Sequence, residues 1–201
     1  MNSLSAERKA HAILDAAYEL FGARGFYETK ISQVAEQAGI AKGTVYLYFK
    51  NKEELFMAVT RRDCEGFIDD LRIRLRACET TGQQLVVIAE HHIRYYYERK
   101  QHTNLFFRTP HNNAELKAYM SHFMKTYMLT VQNVLSQGGA EEAELLAQSY
   151  IGMLDRLKMD ILFDPEFSEA DAQGRAAFAA GLFLEGAARR FTAEVDKRQA
   201  E

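Results

Sequence analysis

Little in this chain breaks a helix. Its 201 residues include only 2 prolines and 12 glycines, and the stretches between them repeat apolar residues at helical spacing. That scarcity argues against turn-rich all-β architectures and for an all-α chain. Cysteine is scarce as well. Cys64 and Cys78 fall on one expected helix, about 21 Å apart at 1.5 Å per residue, which is too far for an internal disulfide. There is no Cys-x-x-Cys pair and no signal-peptide pattern, so a reducing cytoplasm is the expected compartment. No apolar run approaches the ~20 residues that span a bilayer, so no membrane partner is expected. Strong charge of one sign is also missing: the net charge is −3. What is present, 47% hydrophobic and 26% charged residues, excludes disorder and supplies a real core.

The charge is unevenly spread. Residues 1–62 hold 9 Lys and Arg against 7 Asp and Glu, while 63–201 hold 16 against 21. A mildly basic head on an acidic body confines any contact with a polyanion to the head. The periodicity predicts helices over 5–24, 31–38, 42–49, 52–78, 83–100, 112–138, 141–163 and 168–195. The short segment "TNLFFRTP", stopped by Pro110, brings the count to about nine. Ser5 is expected to cap the first helix and Gly25 to end it, Thr29 to cap the second and Gly39 to end it. Asn112 or Asn113 is expected to cap the sixth, and Ser168-x-x-Asp171 reads as a capping box for the last.

Residues 31–49 have the pattern of a helix-turn-helix. Two short helices cross closely only over a small residue, supplied by Ala35. The turn needs positive φ, supplied by Gly39. Ile40 and Val45 then seal the underside, with Ile31, Val34 and Phe49 completing a small core. The last helix reads "KGTVYLY", and its outward face carries Gly43, Thr44, Tyr46 and Tyr48. Gly43 lets the backbone approach a base edge or phosphate, and Thr44 offers a methyl and a hydroxyl to a base. Tyr46 and Tyr48 can donate to phosphate oxygens. Lys42 and Lys52 bracket the helix, and Lys52 opens the next, where free N–H groups favour an anion.

The stretch "FGARGFYETKISQVAEQAGIAKGTVYLYFKNKEEL" resembles the N-terminal DNA-binding domain of TetR-family transcriptional regulators, collinearly over about residues 10–56. The resemblance implies a helix-turn-helix domain at 1–51 and an effector-binding and dimerisation domain at 52–201. It places Thr29 and Lys30 beside the DNA backbone, Lys42, Gly43, Thr44 and Leu47 toward the bases, and Tyr46, Tyr48 and Lys52 toward phosphates. Ala41 departs from the Ser or Thr that often caps this helix in the family.

Beyond residue 60 the resemblance is architectural. It implies a homodimer paired through the last two helices, where Ala147, Gly152, Ala177, Ala180, Gly181 and Phe183 are the interface candidates. Such a dimer would read a pseudo-palindromic double-stranded operator. Phe67, Ile68, Leu71, Ile88, His92, Tyr95, Tyr96, Phe106, Phe107, Met120, Phe123, Met124 and Tyr127 are the candidates to line a pocket for a hydrophobic effector, a fatty-acyl compound or a lipophilic drug. Arg94, Arg99 and Arg108 could meet an anionic head group. Such an effector is expected to tilt the helix that begins near Lys52 and so release the operator. The alternative is a DNA-binding protein controlled by a protein partner or acting without an effector. No cofactor or metal is expected, and an enzyme is excluded by the missing nucleophile elbow, P-loop and dinucleotide fingerprint. Glu98 and His102 share one helical spacing, but no Glu-x-x-His pair accompanies them.

Overall fold

The computed structural model describes residues 3–100 and 114–191, with side chains over 6–100 and 114–186. The described residues form nine α-helical segments and no strand: α1 (Ser3–Arg24), α2 (Ile31–Gln37), α3 (Lys42–Tyr48), α4 (Lys52–Arg76), α5 (Thr81–Glu98), α6 (Ala114–Gln137), α7 (Ala143–Lys158), the single turn α8 (Asp160–Phe163) and α9 (Glu169–Phe191). They divide into two compact units. One holds 3–66 and 114–119, the other 67–100 and 120–191. Both α4 and α6 therefore contribute to each unit.

The helix ends follow local chemistry. α1 stops at Gly25 with φ 88°, and α2 stops at Gly39 with φ 66°, backbone conformations that a Cβ disfavours. α5 opens on a reciprocal box in which Gln83 N–H donates to Thr80 Oγ1 and Thr80 N–H donates to Gln83 Oε1, both at 3.2 Å. The box expected at α9 is formed: Asp171 N–H donates to Ser168 Oγ, and Ser168 N–H donates to Asp171 Oδ2. Ser5 does not cap α1, which already begins at Ser3. Cys78 lies beyond the end of α4. The helix expected over 141–163 divides into α7 and α8. The segment "TNLFFRTP" and the expected Asn112 or Asn113 cap lie outside the described residues.

In the first unit, Ile13, Ala17 and Phe21 of α1 are buried together with Val34 and Ala35 of α2, Val45 of α3, and Leu55 and Phe56 of α4. The Phe56 ring stands edge-on to Phe21 at 5.5 Å and to Phe26 at 5.2 Å. Burying such side chains contributes roughly 1.5–3 kcal/mol each, which is how short helices such as α2 and α3 hold without strong intrinsic stability.

In the second unit, α9 packs against α5 and α7. Leu85, Ile88 and Ile93 of α5, Val131 and Leu135 of α6, and Tyr150 and Leu154 of α7 are buried. The Tyr150 hydroxyl is satisfied by donating to Leu85 O at 2.7 Å. At Gly138 a Cβ would lie 2.6 Å from Thr81 Oγ1, so the close approach of α6's end to α5's start needs a glycine. No described helix is long and apolar enough to cross a membrane.

Candidate nucleic-acid interface

The α2–turn–α3 unit is anchored from beneath. Ala35 and Val45 are buried, and Ile40 N–H donates to Ala35 O at 2.9 Å across the Gly39 turn. Ile40 is half-buried. So is Phe49, expected in the core, because it falls at the C-cap of α3 where the backbone has become extended. Ala41 occupies the N-cap of α3 and supplies no side-chain bond.

With Val45 turned inward, α3 presents Lys42, Gly43, Tyr46 and Leu47 to solvent, while Thr44 and Tyr48 are half-buried at the edges of that face. Leu47 is 84% exposed, an apolar side chain left almost wholly to solvent. Lys42 and Tyr46 stand one turn apart, with Nζ 6.0 Å from the ring centre. A Cβ added at Gly43 would meet nothing within 4 Å. The fold itself does not demand glycine there, and the space above the backbone is open. Cationic, hydroxyl-bearing and apolar groups on one short helix suit a groove whose walls are phosphate and whose floor presents thymine methyls and base edges.

Two of the residues expected at this surface bond inward, within their own unit. Thr29 is 1% exposed, and its hydroxyl donates to Leu20 O at 3.1 Å and Gly25 O at 2.8 Å. It locks the turn after α1 rather than capping α2, whose N-cap is the exposed Lys30. Lys52 Nζ donates to the carbonyls of Tyr27 and Thr29, both at 3.2 Å, and lies 4.4 Å from the centre of the Phe26 ring. The start of α4 is capped instead by Asn51, whose Oδ1 accepts from Glu54 N–H, while Glu54 Oε2 accepts from Lys50 N–H. Tyr27, 59% exposed beside Lys30, is an aromatic hydroxyl that the sequence reading passed over. Its place next to the expected start of α2 was the available signal.

In the second unit the sensing candidates divide. Phe67, Ile68, Leu71, Ile88, His92, Tyr95, Phe123 and Tyr127 are buried. Phe67 is the hub, with Tyr95 at 4.8 Å, Tyr127 at 5.1 Å and Phe123 at 5.6 Å, all edge-on. These rings fill each other's space and make the core of this unit. Tyr96 and Met120 are half-buried and Met124 is exposed. Phe106, Phe107 and Arg108 lie outside the described residues.

Two polar features accompany the rings. His92 Nδ1 lies 3.1 Å from Tyr127 Oη, while Nε2 lies 3.5 Å from Asp155 Oδ1 without a well-aligned hydrogen bond. Burial holds His92 at a pKa of about 4. Asp155 is drawn up by burial but pulled further down, to about 2, by His92 and by Lys158, whose Nζ pairs with the same oxygen at 2.5 Å. The buried His91 approaches Phe67 O at 2.9 Å through Nε2 and is likewise lowered to about 4, mainly by desolvation. Burial, then Asp63 and Glu65, raise the Cys64 thiol to about 12, so it stays protonated at neutral pH.

On the surface of this unit a groove of about 520 Å³ runs between α4, α5 and α9, floored by Val86, Tyr97, Ala172 and Ala176 and rimmed by Arg74, Arg94 and acidic residues. Arg94 is paired with Glu98 at 2.7 Å, and Arg99 lies 4.0 Å from the Tyr95 ring centre.

The small residues of α7 and α9 also separate. Ala147 and Ala180 are buried within their own chain, at 0% and 2% exposure. Their small side chains let α9 and α7 approach inside the monomer, which corrects their assignment to an intersubunit face. Phe183 is half-buried and lies 4.4 Å from the Tyr150 ring. Gly152 and Ala177 are exposed and Gly181 is half-exposed, and around them Leu145, Phe178 and Leu182 are more than half exposed.

Comparison with known proteins fits this arrangement. Residues 13–59 match the family described as bacterial regulatory proteins, tetR family. The Fatty acid metabolism regulator protein of Bacillus subtilis is 29% identical over 129 residues, covering 63% of this chain and 66% of that protein. The HTH-type transcriptional activator FasR of Mycolicibacterium smegmatis is 30% identical over 89 residues, 44% of this chain and 41% of the relative. The chain thus spans less than two thirds of the length of either relative. Among solved structures, the Bacillus subtilis transcriptional regulator FadR in complex with stearoyl-CoA shares the fold with a TM-score of 0.72, at 24% identity over 88% of this chain and 98% of that one. These relatives are transcriptional regulators and not enzymes. At residues 13–59, which hold α2 and α3, the chain is thus similar to the TetR-family transcriptional regulators.

Proposed function

We propose that this protein is a homodimeric repressor that binds a pseudo-palindromic operator and leaves it when a hydrophobic fatty-acyl compound, such as a long-chain acyl-CoA, enters the second unit. The observation that carries the effector class is the 129-residue similarity to a fatty acid metabolism regulator. It is much longer than the head at 13–59 and so extends into the half of the chain that senses. Tyr96, Met120 and Met124, the candidates that are not sealed into the ring cluster, supply adaptable apolar contact for an acyl chain.

Dimerisation is supported by Phe178 and Leu182, one turn apart on α9 beside Ala177 and Gly181, and by Leu145 on α7. Each of these three large apolar side chains is more than half exposed, and apolar surface left to solvent suits pairing with a second copy about a two-fold axis. Coupling runs through α4, which starts at Lys52 in the head and continues past Phe67 among the rings. An effector that favours the DNA-incompetent form 100-fold weakens operator binding by about 2.7 kcal/mol.

Activation in place of repression is the second reading, since FasR is named as an activator. Selection of bound sites from a random DNA library, with and without stearoyl-CoA, tests the proposal. Enrichment of a two-fold symmetric site that disappears with the acyl-CoA supports it. Enrichment unaffected by acyl-CoA removes the effector assignment, and no enrichment removes the operator.

A further inference from the structure

We propose that Leu47 is a specificity-determining residue of the head, its apolar side chain reading the 5-methyl group of a thymine in the major groove. The inference rests on the DNA-binding reading of the head. Successive residues of an α-helix are turned by about 100°, so residues two apart stand on nearly opposite sides. Val45 is the buried residue of α3, at 0% exposure. Gly43 and Leu47, two residues to either side of it, therefore lie along the line of the helix farthest from the core. Lys42 and Tyr46, both exposed and with Nζ 6.0 Å from the ring centre, border that line on one side. The half-buried Thr44 and Tyr48 border it on the other. The outermost line of α3 is thus apolar, with polar groups along both edges.

That order suits the width of a major groove. Its walls are phosphates, which attract an ammonium and accept from hydroxyls, while its floor carries the base edges. Leucine has neither donor nor acceptor, so pressing it on the nitrogen and oxygen atoms of the floor strips them of water without replacing the bonds. The apolar group that the floor does present is the C5 methyl of thymine. One turn before Leu47, at Gly43, an added Cβ would meet nothing within 4 Å. No side chain holds the backbone away from the groove at that point, and α3 can sit deep enough for Leu47 to reach the floor. A protein-docking surface would show a contiguous apolar patch. Among the described residues of this unit, the other exposed large apolar side chains are Tyr27 and Tyr46, and each carries a hydroxyl.

The test uses the full-length chain and a site selected from a random DNA library. Each thymine of the site is replaced in turn by deoxyuridine, which lacks only the methyl. The unaltered protein is compared by anisotropy at fixed salt with Leu47→Asn, a near-isosteric change that removes both methyl groups of the side chain. The proposal predicts a thymine at which deoxyuridine weakens binding of the unaltered protein about 4-fold, the scale of one buried methyl group. Leu47→Asn should bind the thymine and deoxyuridine forms of that site alike. At the same position, 5-methylcytosine should bind the unaltered protein better than cytosine by a similar factor. Indifference of the unaltered protein to deoxyuridine at every thymine overturns the proposal. So does a deoxyuridine penalty of equal size in Leu47→Asn. Should Leu47→Asn lose all binding, Leu47→Ala, which shortens the side chain, is read in the same way. A chain that selects no site removes the DNA-binding reading and this inference with it, whereas a selected site indifferent to its methyl groups removes the inference alone.

Discussion

Acidification should weaken the second unit within a window set by two buried histidines. His91 and His92 are buried and held at a pKa of about 4, in each case chiefly by desolvation, against an unfolded value near 6.5. Both are neutral in the folded protein at pH 7. Between pH 6.5 and 4 the unfolded chain binds protons that the folded chain does not, so stability falls as pH falls through that range. At pH 5 each histidine removes about 2 kcal/mol relative to pH 7.5, and the pair about 4 kcal/mol. That is a large share of the roughly 5–15 kcal/mol that holds a typical protein folded. Asp155 does not confuse the window: its lowered pKa contributes stability that is lost only below the normal carboxylate range, toward pH 2. Urea unfolding at fixed protein concentration, followed by tyrosine fluorescence at pH 7.5 and 5.0, reads the difference. His92→Gln should remove about half of the pH dependence. Equal stability at the two pH values, or a His91→Gln, His92→Gln double variant with the full wild-type dependence, would refute the reasoning.

Two further outcomes follow from the surfaces. Tyr48→Phe should weaken binding to selected and random DNA alike by several-fold, whereas Thr44→Ala should change the preferred site with little effect on random DNA, as separate phosphate and base contacts require; parallel binding curves on both DNAs would show this. Phe178→Asp should turn a dimer into a monomer in analytical ultracentrifugation by placing a charge in an apolar interface, and a sedimentation coefficient equal to that of the unaltered protein would speak against the patch as the interface.

The head was legible because its determinants are local. Ala35, Gly39 and Val45 stand within eleven residues, and each does in the structure what its size or backbone freedom demands: Ala35 and Val45 are buried and Gly39 takes φ 66°. The inward bonds of Thr29 and Lys52 were not legible for the opposite reason. Their partners, Leu20, Gly25 and Tyr27, are set by tertiary packing, and no pattern in the neighbouring residues says whether a threonine hydroxyl or a lysine ammonium turns inward.

The same holds for the body. Periodicity located α5, α6 and α9 to within a few residues, yet a small residue serves an internal helix contact as well as an external one, which is why Ala147 and Ala180 belong to the core while Ala177 is exposed. Aromatic composition likewise identified the Phe67 cluster without indicating that its rings would pack against each other. Exposed Leu145, Phe178 and Leu182 carried the better signal for an interface, visible only once burial assigns the other faces of α7 and α9.

The central claim is that one chain couples a DNA-binding head to a fatty-acyl sensor. Its most direct test is the affinity for a library-selected operator, measured by fluorescence anisotropy with and without saturating stearoyl-CoA at fixed salt. Operator affinity should fall when stearoyl-CoA is added, by about 2.7 kcal/mol for an effector that prefers the DNA-incompetent form 100-fold. An affinity that is the same with and without the acyl-CoA, while the acyl-CoA demonstrably binds, would contradict it.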